Sequence, residues 1–91
     1  MAAIRLVISG RVQGVGFRAF VERQALKRIL RGWVRNRRDG TVEALVIGSD
    51  TMLAEIEDDC RRGPRLSRVD RVERFLAEDD GSVGFRQLPT M

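Results

Sequence analysis

Asp39-Gly40 lies between two runs rich in apolar residues, "WVRN" (33–36) and "TVEALVIG" (41–48). Asp-Gly flanked in this way is a strong short-range signal for a two-stranded antiparallel hairpin. It makes the middle of the chain strand-turn-strand, so the segments on either side have a sheet to pack against. Upstream, Phe17, Phe20, Val21, Ala25 and Ile29 recur at three- and four-residue steps, with Glu22, Arg23 and Lys27 elsewhere. That spacing predicts a helix with one apolar face, and Gly32 breaks the run. Downstream, Met52/Leu53, Ile56 and Cys60 form the stripe of a second helix from about Asp50 to Arg61. Ser49 or Asp50 caps it and Gly63-Pro64 end it. "IRLVI" (4–8) reads as a strand ahead of the first helix, "SRVDRVERFLA" (67–77) as a strand after the second, and "VGFRQL" (83–88) as a last short apolar segment.

The order is therefore β-α-β-β-α-β with a C-terminal extension. It predicts an α+β, ferredoxin-like split βαβ sandwich, with two helices on one face of an antiparallel sheet. The 91 residues form one domain, 1–91. Within 41–48, Val42, Ala44 and Val46 share one sheet face, and Thr41, Glu43, Leu45 and Ile47 the other. With the helices on the first face, Leu45 and Ile47 are expected to be partly exposed on the open one.

Charge narrows the function. The net charge is +4, but residues 1–48 carry ten basic side chains against Glu22, Asp39 and Glu43, whereas residues 49–91 are net acidic. A positive field over the first half attracts phosphates. Every basic residue but Lys27 is arginine, whose planar fork matches a phosphate. There is no histidine, which removes the commonest general base and the commonest metal ligand, so no metal site is expected. Cys60 stands alone, which excludes an internal disulfide and suits a reducing compartment. No signal peptide is visible, and no stretch approaches the roughly 18 apolar residues of a membrane span. The expectation is a cytoplasmic protein.

The basic half contains "GRVQGVGFR" (10–18), between the first strand and the first helix. Gly14-x-Gly16-x-x-Ala19 matches a dinucleotide fingerprint, with Asp39 about twenty residues on. That fold needs several βα units, however, and Asp39 falls in the hairpin turn. A P-loop needs a Lys-Ser/Thr pair after its glycines, and there is none. The third phosphate-binding possibility is a bare anion nest, in which backbone N–H groups converge at a helix start and Arg18 adds a cation in the first turn. Cysteine-dependent phosphatases use a similar span with their nucleophile where Val12 stands here. Without a nucleophile, a bound phosphoryl group has to be attacked by water. A plain loop that needs positive φ at its glycines, with Arg18 solvated, fits the same residues.

"ISGRVQGVGFR" (8–18) and "GWVRNRRDGTVEALVIG" (32–48) resemble, along their full lengths, the two signatures of the acylphosphatase family. The resemblance implies a ferredoxin-like fold and hydrolysis of the carboxyl–phosphate bond of acyl phosphates to carboxylate and inorganic phosphate. By motif position it implies that Arg18 binds the phosphate and that Asn36 positions the water. The backbone amides of Gln13, Gly14, Val15, Gly16 and Phe17 would cradle the phosphoryl oxygens. It further implies a small-molecule acyl phosphate as partner, no cofactor or metal, no nucleic acid or membrane, and a monomer. The chemistry is compatible, because phosphoryl transfer asks mostly for positioning and charge stabilisation. A carboxylate leaving group of low pKa also needs little acid catalysis.

Asn36 has a competing role, since hairpin asparagines often bond nearby backbone to make turns. Arg35, Arg37 and Arg38 read as a solvated basic edge that steers anions. Two other functions fit the fold. One is a non-catalytic phosphate- or RNA-binding module, although RNA recognition on such sheets uses open-face aromatics, which are few here. The other is an accessory domain in carbamoyl-group transfer, since acylphosphatase-like domains begin a hydrogenase maturation protein; the end of the chain at Met91 favours the free-standing enzyme. The sequence departs from the family at the end of the first helix. Ile29 stands where a C-cap glycine is usual, so either the helix end is rebuilt or Ile29 is held at positive φ. Arg65 replaces a commoner second proline, a minor change.

Overall fold

A computed structural model describes residues 1–91. The elements are β1 (Ala2–Arg11), α1 (Phe17–Lys27), β2 (Arg31–Asn36), β3 (Val42–Gly48), α2 (Asp50–Arg62), β4 (Arg68–Ala77) and β5 (Phe85–Gln87). They form one sheet in the order β4-β1-β3-β2-β5. β1 runs antiparallel to β3 and β4, and β2 antiparallel to β3 across the Asp39-Gly40 turn. The predicted split βαβ sandwich is thus the observed fold.

The predicted antiparallel sheet is corrected at one edge. The segment read as an extension forms β5, which pairs parallel to β2 and makes the sheet mixed. Its anchor is Phe85, buried in the main core beside the β2 backbone. To reach that edge from β4, residues 78–84 cross the open face. Arg31 holds this strap by pairing with Asp79 and donating to Ser82 O at 2.8 Å, and Trp33 Nε1 donates to Asp80 at 3.1 Å.

The main core lies between sheet and helices. Ile4, Leu6, Ile8, Val34, Val42, Ala44 and Val46 meet Phe17, Val21 and Ala25 of α1 and Leu53, Ile56 and Cys60 of α2. Burial of these apolar surfaces is the main force holding the helices to the sheet. Ser49 caps α2 as expected, its Oγ accepting from Met52 N–H at 3.3 Å.

Two expectations about burial fail. Leu45 and Ile47 are only 5% and 1% exposed, because the open face carries its own small core: they pack with Ala3 beneath Trp33 and Ala77. Ile29, which the helical spacing puts on the buried face of α1, is instead 90% exposed, at φ 54°. The helix closes with Ile29 N–H donating to Leu26 O at 3.2 Å and Leu30 N–H to Ala25 O at 2.9 Å. This is the paired bonding of a left-handed C-terminal closure. The reversal turns Ile29 outward and inserts Leu30, 3% exposed, in its place.

The open face also buries a charge. Glu43 accepts from Arg5 Nη1 at 3.1 Å and from Arg35 Nε at 2.8 Å. The two guanidinium groups lie over the rings of Phe75 and Trp33, 4.5 and 4.6 Å from the centroids. Pairing on both oxygens makes the buried carboxylate tolerable, and stacking on the rings fixes the arginines in place.

Candidate active site

The site is built on the loop that joins β1 to α1. Val12 and Phe17, both about 1% exposed, anchor its two ends in the core, and the Phe17 ring meets Phe20 edge-on at 5.8 Å. Between them Gly14 and Gly16 adopt φ of 73° and 80°, and a Cβ added at either would meet no atom within 4 Å. These glycines therefore serve backbone conformation and not close packing. Positive φ at Gly14 and Gly16, with negative φ at Val15 between them, turns neighbouring N–H groups toward one side, as in an anion nest.

No backbone amide from Gln13 to Ala19 donates a hydrogen bond within the chain; bonding resumes with Phe20 N–H to Gly16 O at 3.0 Å. The first turn of α1 holds no acidic residue and its N-cap, Gly16, offers no side-chain acceptor. The positive end of the helix and its free N–H groups thus face outward together, the arrangement that favours an anion.

Gln13 connects this loop to the hairpin. Its side-chain amide donates to Arg37 O at 2.7 Å and to Thr41 O at 2.9 Å. The tie brings the end of β2, where Asn36 sits on the same sheet face as Val34, beside the glycine loop. A cavity of about 140 Å³ results, lined by Val12, Gly14, Gly16, Phe17, Arg18, Ala19, Asn36 and Gln87. Arg18 is half-buried and forms no ion pair, and the Asn36 side chain has no hydrogen-bond partner in the chain. The turn does not need Asn36. Asp39 Oδ1 accepts from Thr41 N–H at 3.0 Å and from its hydroxyl at 2.6 Å, and Gly40 N–H donates to Arg37 O at 3.1 Å. The cavity lining contains one cation and no acid, so it is electrostatically suited to an anion.

Of the seven residues singled out from sequence, Gly14, Gly16, Phe17, Arg18 and Asn36 line this cavity, whereas Gln13 and Val15 belong to the loop but not to the lining. Arg35, Arg37 and Arg38 lie outside it. Two contributions went unseen in the sequence. One is the Gln13 side chain as the tie to the hairpin. The other is Gln87, on β5, whose amide donates to Glu22 at 3.1 Å. Neither has a local signal, because both depend on pairings made across the sheet. No group of three or more His, Cys, Asp or Glu side chains comes together as a metal site would require, and no helix is long and apolar enough to cross a membrane.

A family model described as Acylphosphatase matches residues 4–87. The chain is 56% identical to the acylphosphatase of Rhodopseudomonas palustris (strain BisB18), over 96% of this chain and 94% of that one. It is also 56% identical to the acylphosphatase of Bradyrhizobium diazoefficiens, over 99% and 97% of the two. The structure superposes on the crystal structure of acylphosphatase from Bacillus subtilis with a TM-score of 0.93, at 38% identity, covering 97% of this chain and 99% of that one.

Proposed function

Since this chain belongs to the acylphosphatase family and is a hydrolase of acyl phosphates, we propose that its cavity splits the carboxyl–phosphate bond by direct attack of water, with Arg18 holding the phosphoryl group and Asn36 the water. The observation that carries this assignment is the pairing of two side chains with no partner in the chain, Arg18 and Asn36, across one cavity from a loop of unbonded amides.

In this mechanism the phosphoryl oxygens accept from the amides of Gln13 to Phe17. The Arg18 guanidinium takes two of the oxygens through its paired N–H groups. Both sets of donors are in place before substrate arrives, so charge building on the phosphoryl oxygens is met without reorganisation. The Asn36 carboxamide oxygen accepts one O–H of a water and aims the water's lone pair at phosphorus, opposite the leaving carboxylate. The water oxygen bonds to phosphorus, the P–O bond to the acyl group breaks with its electron pair leaving on the carboxylate, and the water's proton passes to a phosphoryl oxygen. The products are a carboxylate and dihydrogen phosphate. With the substrate as its own base, no side chain in the cavity has to accept a proton, which suits a chain without histidine.

The same reading takes the substrate as small and free in solution, the working unit as a monomer acting without nucleic acid, and the compartment as the cytoplasm; the lone free thiol Cys60 supports the last.

The test uses benzoyl or acetyl phosphate, with p-nitrophenyl phosphate as control. Arg18→Ala is expected to raise KM, weaken inhibition by inorganic phosphate and abolish measurable turnover. Asn36→Ala is expected to lower kcat by about 10²–10³, the cost of one transition-state hydrogen bond in a preorganised site, with phosphate inhibition largely kept. Normal turnover by Asn36→Ala would refute its role, and hydrolysis of the ester but not the acyl phosphate would refute the reaction.

A further inference from the structure

On the opposite face of the sheet lies a larger cavity of about 350 Å³, lined by Arg5, Arg35, Arg37, Arg38, Asp39, Glu43 and Met91. It belongs to no part of the mechanism above. β2 separates the two sites: Asn36 faces the catalytic cavity, and its neighbour Arg35 faces this one.

Four arginines meet here, and their donors are mostly unspent. A guanidinium carries five N–H donors. Arg5 and Arg35 each give one hydrogen bond, both to Glu43, and Arg37 makes only a loose ion pair with Asp39 at 3.5 Å. Arg38 has no side-chain partner and Met91 makes no ion pair with any of the four. The side-chain acids of the cavity are already engaged, and Met91 O accepts from Arg38 N–H at 3.2 Å. Glu43 is shared by Arg5 and Arg35, while Asp39 is taken by Thr41 and Arg37. Three of the four are not loose surface side chains, Arg38 alone being exposed. The side chains of Arg5, Arg35 and Arg37 keep only 35%, 22% and 36% of their exposure, and two of them are fixed by stacking on Phe75 and Trp33. The site is built in advance of any ligand, which lowers the entropic cost of binding one.

We propose that this cavity is a second anion site, for a polyphosphate such as tripolyphosphate. Several bidentate forks held within one concavity match an extended row of phosphate oxygens better than a single phosphate. The volume admits about twelve water-sized bodies at about 30 Å³ each, enough for a short phosphate chain. A nucleobase finds no ring to stack on here, because no aromatic side chain lines the cavity.

The experiment is calorimetric titration of tripolyphosphate at fixed moderate ionic strength. Arg18→Ala, which disables the catalytic cavity, is expected to retain one saturable site. Adding Arg37→Ala and Arg38→Ala to that variant is expected to weaken this site at least about tenfold, the cost of one or two charge-assisted hydrogen bonds. Arg38→Glu is expected to do the same without truncating Arg37. Both side chains reach solvent, so unchanged circular dichroism and Tm will show that these variants fold. Arg65→Ala, an exposed arginine outside the cavity, is expected to change nothing. Loss of all binding in Arg18→Ala would place the polyphosphate in the catalytic cavity and overturn the proposal. Equal losses from Arg65→Ala and from the cavity arginines would overturn it too, as diffuse attraction to a basic surface.

Discussion

Ile29→Gly should make this protein more stable, against the usual direction of a substitution that deletes a large apolar side chain. Ile29 holds φ at 54° to close α1. An L-residue in the left-handed region costs about 1–2 kcal/mol, at the upper end when β-branched. Glycine removes that strain. Its greater freedom in the unfolded chain costs back about 0.4–1 kcal/mol. The lost side chain costs little, because it is 90% exposed. The net gain is about 0.5–1 kcal/mol. For a domain of this size about 1 kcal/mol moves Tm by about 4–8 °C, so the variant should melt about 2–8 °C higher. Thermal and urea unfolding measure it, with an unchanged m-value showing that the gain is in stability alone. Ile29→Ala is the control: it removes the same side chain, keeps the Cβ and so keeps most of the strain. Equal behaviour of the alanine and glycine variants, or a loss of stability in Ile29→Gly, would refute the strain argument. Turnover should be unchanged, because the loop proposed to hold the phosphoryl group lies at the other end of α1.

Gly16→Ala forces a Cβ onto φ 80° at the N-cap of α1; it should cost only about 1 kcal/mol of stability yet at least about tenfold in kcat/KM, read from acyl phosphate hydrolysis, by turning the amides out of register. Glu57 is pushed up by burial, but hydrogen bonds from Arg61 and Arg74 outweigh this and hold it below its ordinary value. A carboxylate depressed by folding stabilises above its unfolded pKa, about 4.3, and the contribution is lost as pH falls through the folded value. The Tm gap between the wild type and Glu57→Gln should therefore shrink between about pH 6 and pH 3; a constant gap would contradict it. Burial pushes the Cys60 thiol up to about 12, with Asp59 and Glu57 adding to it, so alkylation of the folded protein should be limited by unfolding. Rapid native-state alkylation that follows thiolate titration would show the reverse.

The residues whose roles follow from their neighbours in sequence were legible before the structure. Asp39-Gly40 makes its hairpin by local turn chemistry, Ser49 caps α2 within four residues, and Gly14 and Gly16 bend a loop that begins and ends on its own anchors. The convergence of Arg18 with Asn36 was available only through resemblance, since eighteen residues and a helix separate them; the geometry comes from the β2–β3 pairing and the Gln13 tie. What escaped is long-range. β5 is three residues long and is defined by Phe85 finding the core. Leu45 and Ile47 are buried because Trp33 and the strap lie over a face that a split βαβ pattern leaves bare. Ile29 fits the helical repeat perfectly well in sequence. It is excluded from the core because the helix ends at Lys27 and Ile29, just past the cap, turns outward at positive φ.

The size of the proposed catalytic cavity sets what this enzyme is able to discriminate. At about 140 Å³, and about 30 Å³ for each water-sized body, it has space for the oxygens of one phosphoryl group and the attacking water. In the proposed mechanism the acyl chain is then left outside it. A pocket that never encloses the leaving group has no shape with which to select it. Reaction rates across a series of acyl phosphates will then fall on one linear free-energy line against the acidity of the departing acid, with aliphatic and aromatic members lying together.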